Sequence, residues 1–402
     1  MRSVLSTALA TLALAIAGCE KKASAPPVPS PSGPVPGTVA NPSSGGGDSA
    51  GGTILIGEVG SLTGAEATFG ISTRNAIDLA LREANAAGGV KGRKIDVRVY
   101  DDQSKPEEAA NAATRLINQD NVLLILGEVA STNSLAMASK AQPAKVPMIS
   151  NASTNPKVTE VGNYIFRVCF IDPFQGFVMA KFAHDNLKFN KVAVLRDLAS
   201  DYSQGLADVF ERKFTEMGGK IVGRETYSKG STDFRSQLTA IKRAQPEGIY
   251  IPGYYTDIGV IARQARELGI TAKLMGGDGW DSSKLFELGG RAVEGSYFSN
   301  HYSPDDPNPH VQKFIADYKA AFGSVPDALA ALGYDAAQVA VDAMKRAPNL
   351  NRESIRLAIA QTKNFPGVTG TITLDEKRNA TKPAVVLEVG EGKTKYVATI
   401  AP

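Results

Sequence analysis

The feature that most constrains the fold is a long alternation of strand-like and helix-like segments, which begins at Thr53. Short apolar runs typical of strands occupy residues 53–59, 94–100, 122–126, 146–150, 191–196, 220–227, 248–252 and 273–276. Helix-like stretches lie between them, at residues 71–86, 106–119, 174–187, 205–217, 234–243 and 258–268. Alternation of this kind predicts an α/β fold in which helices flank a mostly parallel sheet. The number of units indicates two such sheets, each the centre of a Rossmann-like lobe.

The last hundred residues follow a different pattern. Helix-like stretches at 310–322, 329–347 and 352–361 have no strands between them and precede a strand pair at 382–389 and 396–400. Helices without strands of their own must pack on an existing sheet, so we expect the chain to return to its first lobe. We assign residues 53–170 and 299–378 to the N-terminal lobe, and residues 171–298 and 379–402 to the C-terminal lobe. Several crossings between two lobes predict a hinge and a ligand cleft.

The N-terminus predicts export and lipidation. The apolar run at residues 4–17 is too short to span a bilayer stably, and it ends in Leu14-Ala15-Ile16-Ala17-Gly18-Cys19, which resembles a bacterial lipobox. We therefore predict a lipoprotein signal peptide at 1–18 and acylation of Cys19, with an ordinary signal peptide and a chance cysteine as the alternative. Residues 19–52 are rich in Pro, Gly and Ser, which predicts a tether or, alternatively, a low-complexity interaction segment. The expected location is the periplasmic side of a bacterial cell envelope, with the lipid as the only membrane link.

Composition and charge narrow the function. The 402 residues are 43% hydrophobic and carry a net charge of +3, with Lys and Arg dispersed among Asp and Glu. Because no basic patch stands out, we expect no nucleic acid partner. Acylation of Cys19 would leave Cys169 as a lone thiol in an apolar run, so we expect no disulfide and a buried Cys169.

Two clusters of small polar residues follow neighbouring strands. Gly127 to Thr132 comes after one strand, and Asn151 to Thr154 comes after the next. Hydroxyl groups and free backbone N–H groups at helix starts attract anions, and open α/β sheets bind ligands at this edge. We therefore predict that Ser131, Thr132, Ser153 and Thr154 form a carboxylate site. The alternative is that these residues only cap helices.

The other lobe supplies the opposite chemistry. Asp278 follows two glycines at a strand end, and aromatic residues occur at several strand ends, namely Phe69, Tyr202, Tyr254 and Trp280. An ammonium group would pair with Asp278 and the carbonyl of Ala152, while the rings would bury a ligand side chain. The two lobes together would bind a zwitterion. Helix capping by Asp278 and ordinary packing of the rings are the alternatives.

Enzyme motifs are missing from the sequence. It contains no G-x-G-x-x-G after the first strand, no G-x-x-x-x-G-K-[ST], no H-E-x-x-H and no G-x-S-x-G elbow between a strand and a helix. His301, Asp305 and Asp306 could suggest a metal site, but a solvated loop is the preferred interpretation. We expect a binding protein without catalytic residues, cofactor or metal.

Several short motifs occur in an order that resembles the branched-chain amino acid binding proteins of ABC importers. They are GEVGSLTG at 57–64, GGVKG at 88–92, YDD at 100–102, DYSQG at 201–205, RQAR at 263–266 and MGGDG at 275–279. The resemblance covers residues 54–400. It implies the type I periplasmic binding protein fold, with three crossings between the lobes.

The resemblance also implies roles for individual residues. The family's carboxylate-binding serine corresponds to Ser131, and the alanine and threonine of its next strand end correspond to Ala152 and Thr154. The acidic ligand of the ammonium group is usually glutamate in the family and is Asp278 here.

The side-chain pocket follows from the same comparison. Family aromatic positions match Phe69, Tyr202 and Tyr254, whereas Trp280 stands where the leucine-type binders have a smaller residue. The implied protein is a monomeric substrate-binding component that captures a branched-chain or neutral amino acid and delivers it to an ABC permease of the branched-chain amino acid type. A different small carboxylate or amide as ligand, or a lipoprotein sensor or scaffold that regulates an envelope partner, are the alternatives.

Overall fold

The computed structural model describes residues 52–402. The predicted signal peptide, Cys19 and all of the predicted tether except Gly52 lie outside these residues. Within residues 52–402, no helix is both long enough and apolar enough to cross a membrane.

The first sheet contains five parallel strands in the order β2-β1-β3-β4-β5. The strands are β1 (Ile54–Gly60), β2 (Ile95–Asp101), β3 (Ile125–Leu126), β4 (Met148–Ser150) and β5 (Ile165–Arg167). The helices between them are α1 (Ala67–Ala86), α2 (Pro106–Asn118), α3 (Ser131–Ala141) and α4 (Lys157–Glu160). All residues of β3, β4 and β5 are buried, as expected for parallel strands covered on both faces.

The second sheet begins after α5 (Asp172–Lys181), a helix that continues as a π-helical turn at Phe182–Asn186. Its parallel strands are β6 (Lys191–Asp197), β7 (Lys220–Tyr227), β8 (Gly248–Tyr250), β9 (Lys273–Gly276) and β10 (Tyr297–Asn300). The helices in this part are α6 (Asp201–Glu216), α7 (Arg235–Arg243), α8 (Tyr255–Glu267) and α9 (Ser283–Gly289), with 3-10 turns at Asp278–Trp280 and Gly290–Val293.

The chain then returns to the first sheet. The helices α10 (Pro309–Phe322), α11 (Ala328–Arg346) and α12 (Arg352–Ala360) follow, and α11 packs along α1. A short hairpin of β11 (Phe365–Gly367) and β12 (Gly370–Ile372) comes next. The sequence analysis did not predict this hairpin, because Pro and Gly in such short strands remove the usual strand signal.

The last two strands complete the second sheet. β13 (Ala384–Gly390) and β14 (Lys393–Ile400) add antiparallel strands at its edge, and the order is β14-β13-β10-β9-β8-β6-β7. The chain thus crosses between the sheets at residues 168–171, 301–308 and 373–383. These crossings and the two mostly parallel sheets confirm the predicted fold class.

Candidate functional site

A small cavity lies where strand ends of both sheets face each other. It is lined by Phe69, Val129, Ser131, Ala152, Tyr202, Tyr254, Asp278, Gly279 and Leu329. Its volume is about 10 Å³, room for about one water molecule, so its walls must move apart to admit a larger ligand. Predicted residues from both lobes therefore meet at one cavity.

Ser131 forms the polar wall on the first lobe. It is the first residue of α3, and the preceding Ala130 makes no side-chain cap. The Ser131 hydroxyl instead accepts a hydrogen bond from the backbone N–H of Asn155 at 3.3 Å. Because Ser131 lines the cavity at the N-terminus of an 11-residue helix, this wall favours a negatively charged group.

The loop before Ser131 is held by a buried carboxylate. Glu128 accepts hydrogen bonds from the backbone N–H groups of Ser61, at 3.1 Å, and Ala130, at 2.6 Å. Burial, together with the nearby charge of Asp102, raises the pKa of Glu128 well above its usual range. The carboxyl group fixes the backbone that presents Ser131 to the cavity.

Other members of the two polar clusters lie behind this wall or beside it. Thr132 accepts a hydrogen bond from the backbone N–H of Asp201 at 3.1 Å, which joins the two lobes. Ser153 donates to the carbonyl of Val129 at 2.9 Å. The Thr154 hydroxyl is buried and has no hydrogen-bond partner among residues 52–402. None of these three residues lines the cavity, whereas Ala152 does.

Asp278 forms the acidic wall on the second lobe. Its Oδ1 accepts hydrogen bonds from Gln175 Nε2 at 2.8 Å and from the Tyr202 hydroxyl at 2.9 Å. Its Oδ2 lies 2.9 Å from His301 Nε2. Asp278 does not cap the following α9, because Ser282 itself caps that helix by accepting from the Lys284 N–H at 3.2 Å. Asp278 is therefore not used as a helix cap, and it lines the cavity.

The solvated-loop interpretation of His301 is wrong. Its side chain is fully buried, and its ring stacks on Phe170 with centroids 3.7 Å apart. Burial is the main cause that lowers the pKa of His301 below its ordinary value. Among the described residues, no group of three or more His, Cys, Asp or Glu side chains is arranged to hold a metal ion. His301 directly follows β10, so the rule that identified Asp278 at a strand end would also have identified His301.

Aromatic rings form the apolar part of the cavity. Tyr202 stacks on Tyr254 with centroids 5.3 Å apart, and Phe69 meets Tyr254 edge-on at 5.8 Å. Burial raises the pKa of both tyrosines well above their usual range, so both hydroxyls stay protonated. Val129 and Leu329, which the sequence analysis did not identify, add aliphatic surface.

Trp280 lies away from the cavity. It is completely buried, and its Nε1 donates to the carbonyl of Ile251 at 3.0 Å. A Cβ on Gly276 would lie only 2.1 Å from the indole, so the ring needs a glycine at that position. Trp280 therefore packs beneath the strand end that carries Asp278.

Direct contacts between the lobes flank the cavity. Lys229 forms an ion pair with Glu66 at 2.8 Å, and Asn155 Nδ2 donates to the carbonyl of Asp201 at 2.7 Å. Glu66 and Asn155 belong to segments of the first sheet, whereas Lys229 and Asp201 belong to segments of the second. The cavity is thus enclosed by residues that both lobes contribute.

Comparison with known proteins agrees with this architecture. The family model described as "periplasmic binding protein" matches residues 53–394. The chain is 31% identical over 357 residues to Leu/Ile/Val-binding protein homolog 1 of Brucella suis, and the match covers 87% of this chain and 95% of that protein.

Solved structures give the same result. The chain is similar to the leucine binding protein LivK from Thermotoga maritima, with a TM-score of 0.84, 44% identity and coverage of 87% of this chain and 99% of that one. It is also similar to LivJ from Streptococcus pneumoniae, a branched-chain amino acid transporter substrate binding protein solved with isoleucine, with a TM-score of 0.83, 33% identity and coverage of 87% and 100%. These relatives are binding proteins, in agreement with the prediction that the chain is not an enzyme. The chain belongs to the periplasmic binding protein family, on the branch of the branched-chain amino acid binding proteins.

Proposed function

We propose that this protein binds a free amino acid of the branched-chain or neutral type in the cavity between its lobes. The observation that carries the proposal is the pairing of opposite walls. A helix N-terminus with Ser131 lies on one side, and the buried carboxylate of Asp278 lies on the other, with aromatic rings between them. A zwitterion with an apolar side chain is complementary to all three parts.

Each predicted residue has a place in this proposal. The ligand carboxylate binds the Ser131 hydroxyl and nearby backbone N–H groups. Thr154 lies beside this wall, and its buried hydroxyl, which lacks a partner within the described part of the chain, reaches the carboxylate when the cavity widens around the ligand. The ammonium group binds Asp278 and the carbonyl of Ala152.

The apolar side chain of the ligand packs on Phe69, Tyr202 and Tyr254, the aromatic residues that line the cavity. Thr132, Ser153 and Trp280, which lie behind the walls, support the site by holding its loops in place.

In the proposed function, the two lobes close on the ligand and the protein then delivers it to a permease. Residues 53–170 with 299–378 form one lobe and residues 171–298 with 379–402 the other, and the two close on the ligand before an ABC permease accepts it. Contacts such as the Lys229–Glu66 ion pair support a closed form. A lipid on Cys19 and the tether at 19–52 hold the monomer on the periplasmic side of the membrane.

The test is a ligand screen by thermal shift, followed by calorimetric titration. Purified protein is mixed with each common amino acid, and with 4-methylpentanoate as an analogue of leucine that lacks the ammonium group. A ligand that binds only the folded state raises the melting temperature, by an amount that grows with its concentration. We expect leucine, isoleucine or valine to give the largest shifts. A screen in which no amino acid shifts the melting temperature would refute the proposal, and a shift with the carboxylate alone would favour the alternative ligand class.

A further inference from the structure

Two side chains hold Asp278 from outside the cavity. Gln175 Nε2 lies 2.8 Å from its Oδ1, and His301 Nε2 lies 2.9 Å from its Oδ2. Both residues are buried, and neither lines the cavity. They therefore do not touch a ligand there, and any effect they have on binding is exerted through the Asp278 carboxylate.

The contacts of Asp278 leave its charge uncompensated. Within residues 52–402, no Lys or Arg forms an ion pair with this carboxylate, and His301 is its only basic partner. The Nδ1 atom of His301 is buried without a hydrogen-bond partner in the same part of the chain. An imidazole with Nδ1 unprotonated and Nε2–H donating to Asp278 satisfies this arrangement, because a bare N–H in that position would cost free energy.

The two donors come from segments next to different crossings. Gln175 lies in the first turn of α5, just after the crossing at 168–171, and its Nε2 also donates to Ser299 at 3.0 Å. His301 opens the crossing at 301–308 and is fixed by stacking on Phe170 in the first crossing. The Asp278 carboxylate is thereby anchored to the segments that join the lobes.

We propose that Gln175 and His301 are positioning residues of the ammonium subsite, neutral donors that fix the Asp278 carboxylate and leave its full charge to the ligand. The inference rests on the proposed function, because it assigns the charge of Asp278 to an amino acid ammonium group. A buried carboxylate without a cationic partner is costly, and a bound ammonium group removes that cost. Selectivity for ligands with an amino group follows.

Protonation of His301 would oppose the ligand. An imidazolium beside Asp278 would neutralise the carboxylate and repel the ammonium group, so binding should weaken in acid. The other titratable groups whose charges act on the ring or on Asp278 are Cys169, Asp172, Tyr202, Tyr250, Tyr254, Asp281 and Lys382. A variant that changes His301 alone retains all of these groups, which isolates the contribution of His301.

The experiment measures the affinity of the full chain for the amino acid that gives the largest thermal shift, and for its analogue without the ammonium group. His301→Leu and Gln175→Met each remove one donor. Loss of one such hydrogen bond should weaken amino acid binding about fivefold to thirtyfold and leave binding of the analogue within about twofold. His301→Gln restores an amide donor and should recover most of the affinity at pH 7.5. Wild-type affinity should fall between pH 7.5 and pH 5, and it should fall more than the affinity of His301→Gln over the same range.

The outcomes separate this inference from the proposed function. If the wild-type protein binds no amino acid, the proposed function fails. If it binds one, but His301→Leu and Gln175→Met weaken the amino acid and its analogue equally, or weaken neither, the positioning role is overturned. Melting temperatures without ligand identify a variant that does not fold, in which case the other variant decides the question. Identical pH profiles for the wild type and His301→Gln overturn the assignment of His301 as the group that opposes the ligand.

Discussion

Replacing Asp278 with Asn should separate binding from stability, because the two respond in opposite directions. The carboxylate is buried at 4% exposure and has no Lys or Arg partner among residues 52–402. Asn keeps an oxygen that can accept from Gln175 and Tyr202, but its amide group can donate to His301 Nε2 only if the ring carries a bare N–H at Nδ1. The substitution therefore removes the charge and preserves two of the three local hydrogen bonds.

The expected loss of affinity follows from the bond that the ligand would lose. A hydrogen bond to a charged group contributes about 1.5–3 kcal/mol, so binding of the amino acid should weaken about 12-fold to 150-fold. Without ligand, the variant should melt at the same temperature as the wild type or higher, because a buried charge without a cationic partner destabilises the folded state. The ligand-induced rise in melting temperature should shrink.

Calorimetric titration and thermal unfolding test both expectations on the same samples. The analogue 4-methylpentanoate should bind the variant as well as the wild type or better, since it offers no ammonium group. Asp342→Asn is a matched control, because Asp342 pairs with Arg346 on the surface of α11. Unchanged amino acid affinity in Asp278→Asn would refute the assigned role, and so would an equal loss for the amino acid and the analogue.

Three further predictions address the donors, the contacts between the lobes and pH. Gly277→Ala would place a Cβ 2.4 Å from the Tyr202 hydroxyl, so Tyr202 must move and its hydrogen bond to Asp278 is lost. Calorimetric titration should show amino acid affinity about fivefold to thirtyfold weaker, and unchanged affinity would contradict the packing argument. Thr132→Val removes the hydroxyl that accepts from the Asp201 N–H, a contact between the lobes, so the lobes should move apart. Small-angle scattering without ligand should then show a larger radius of gyration than for the wild type, and an identical radius would mean that this contact does not hold the lobes together. Burial raises the pKa of Asp172 from 3.8 to about 8, so the folded protein holds a proton on this side chain that the unfolded chain releases near pH 4. The stability gained from the protonated side chain is therefore complete below about pH 4 and is lost as pH rises through about 8. Asp172→Asn cannot titrate, and its melting temperature relative to wild type should therefore climb between pH 4 and pH 8; a constant difference would contradict the assigned protonation.

The sheets and much of the cavity were predictable because they follow from local patterns. Apolar runs marked the strands, and the rule that ligand sites lie at the carboxyl ends of parallel strands identified Ser131 and Asp278. The rule identifies a strand end without giving the direction of each side chain. Within the 3-10 turn Asp278–Trp280, successive residues differ by about 120°, so Asp278 faces the cavity while Trp280 packs below it.

The same rule does not identify cavity residues that come from distant segments of the chain. Gln175 lies 103 positions from Asp278 along the chain and sits inside a helix, where nothing in the local pattern marks it as a partner. Leu329 reaches the cavity from the start of α11, a helix whose placement depends on the return of the chain to the first lobe. Such contacts follow from how the lobes pack, which periodicity in the sequence does not encode.

The contacts between the lobes also bear on how closure would be driven. The ion pair of Lys229 with Glu66 is partly exposed, because the Lys229 side chain is 32% accessible, and pairs of this kind contribute about 0–1 kcal/mol. A ligand shifts an open-to-closed equilibrium only by its differential affinity for the two forms. An amino acid that touches Ser131 on one lobe and Asp278 on the other makes both charge-assisted contacts only when the lobes are closed. The contacts proposed to select a zwitterion are therefore the same contacts that would stabilise the proposed closed form, and a ligand lacking either charged group should close the protein less completely.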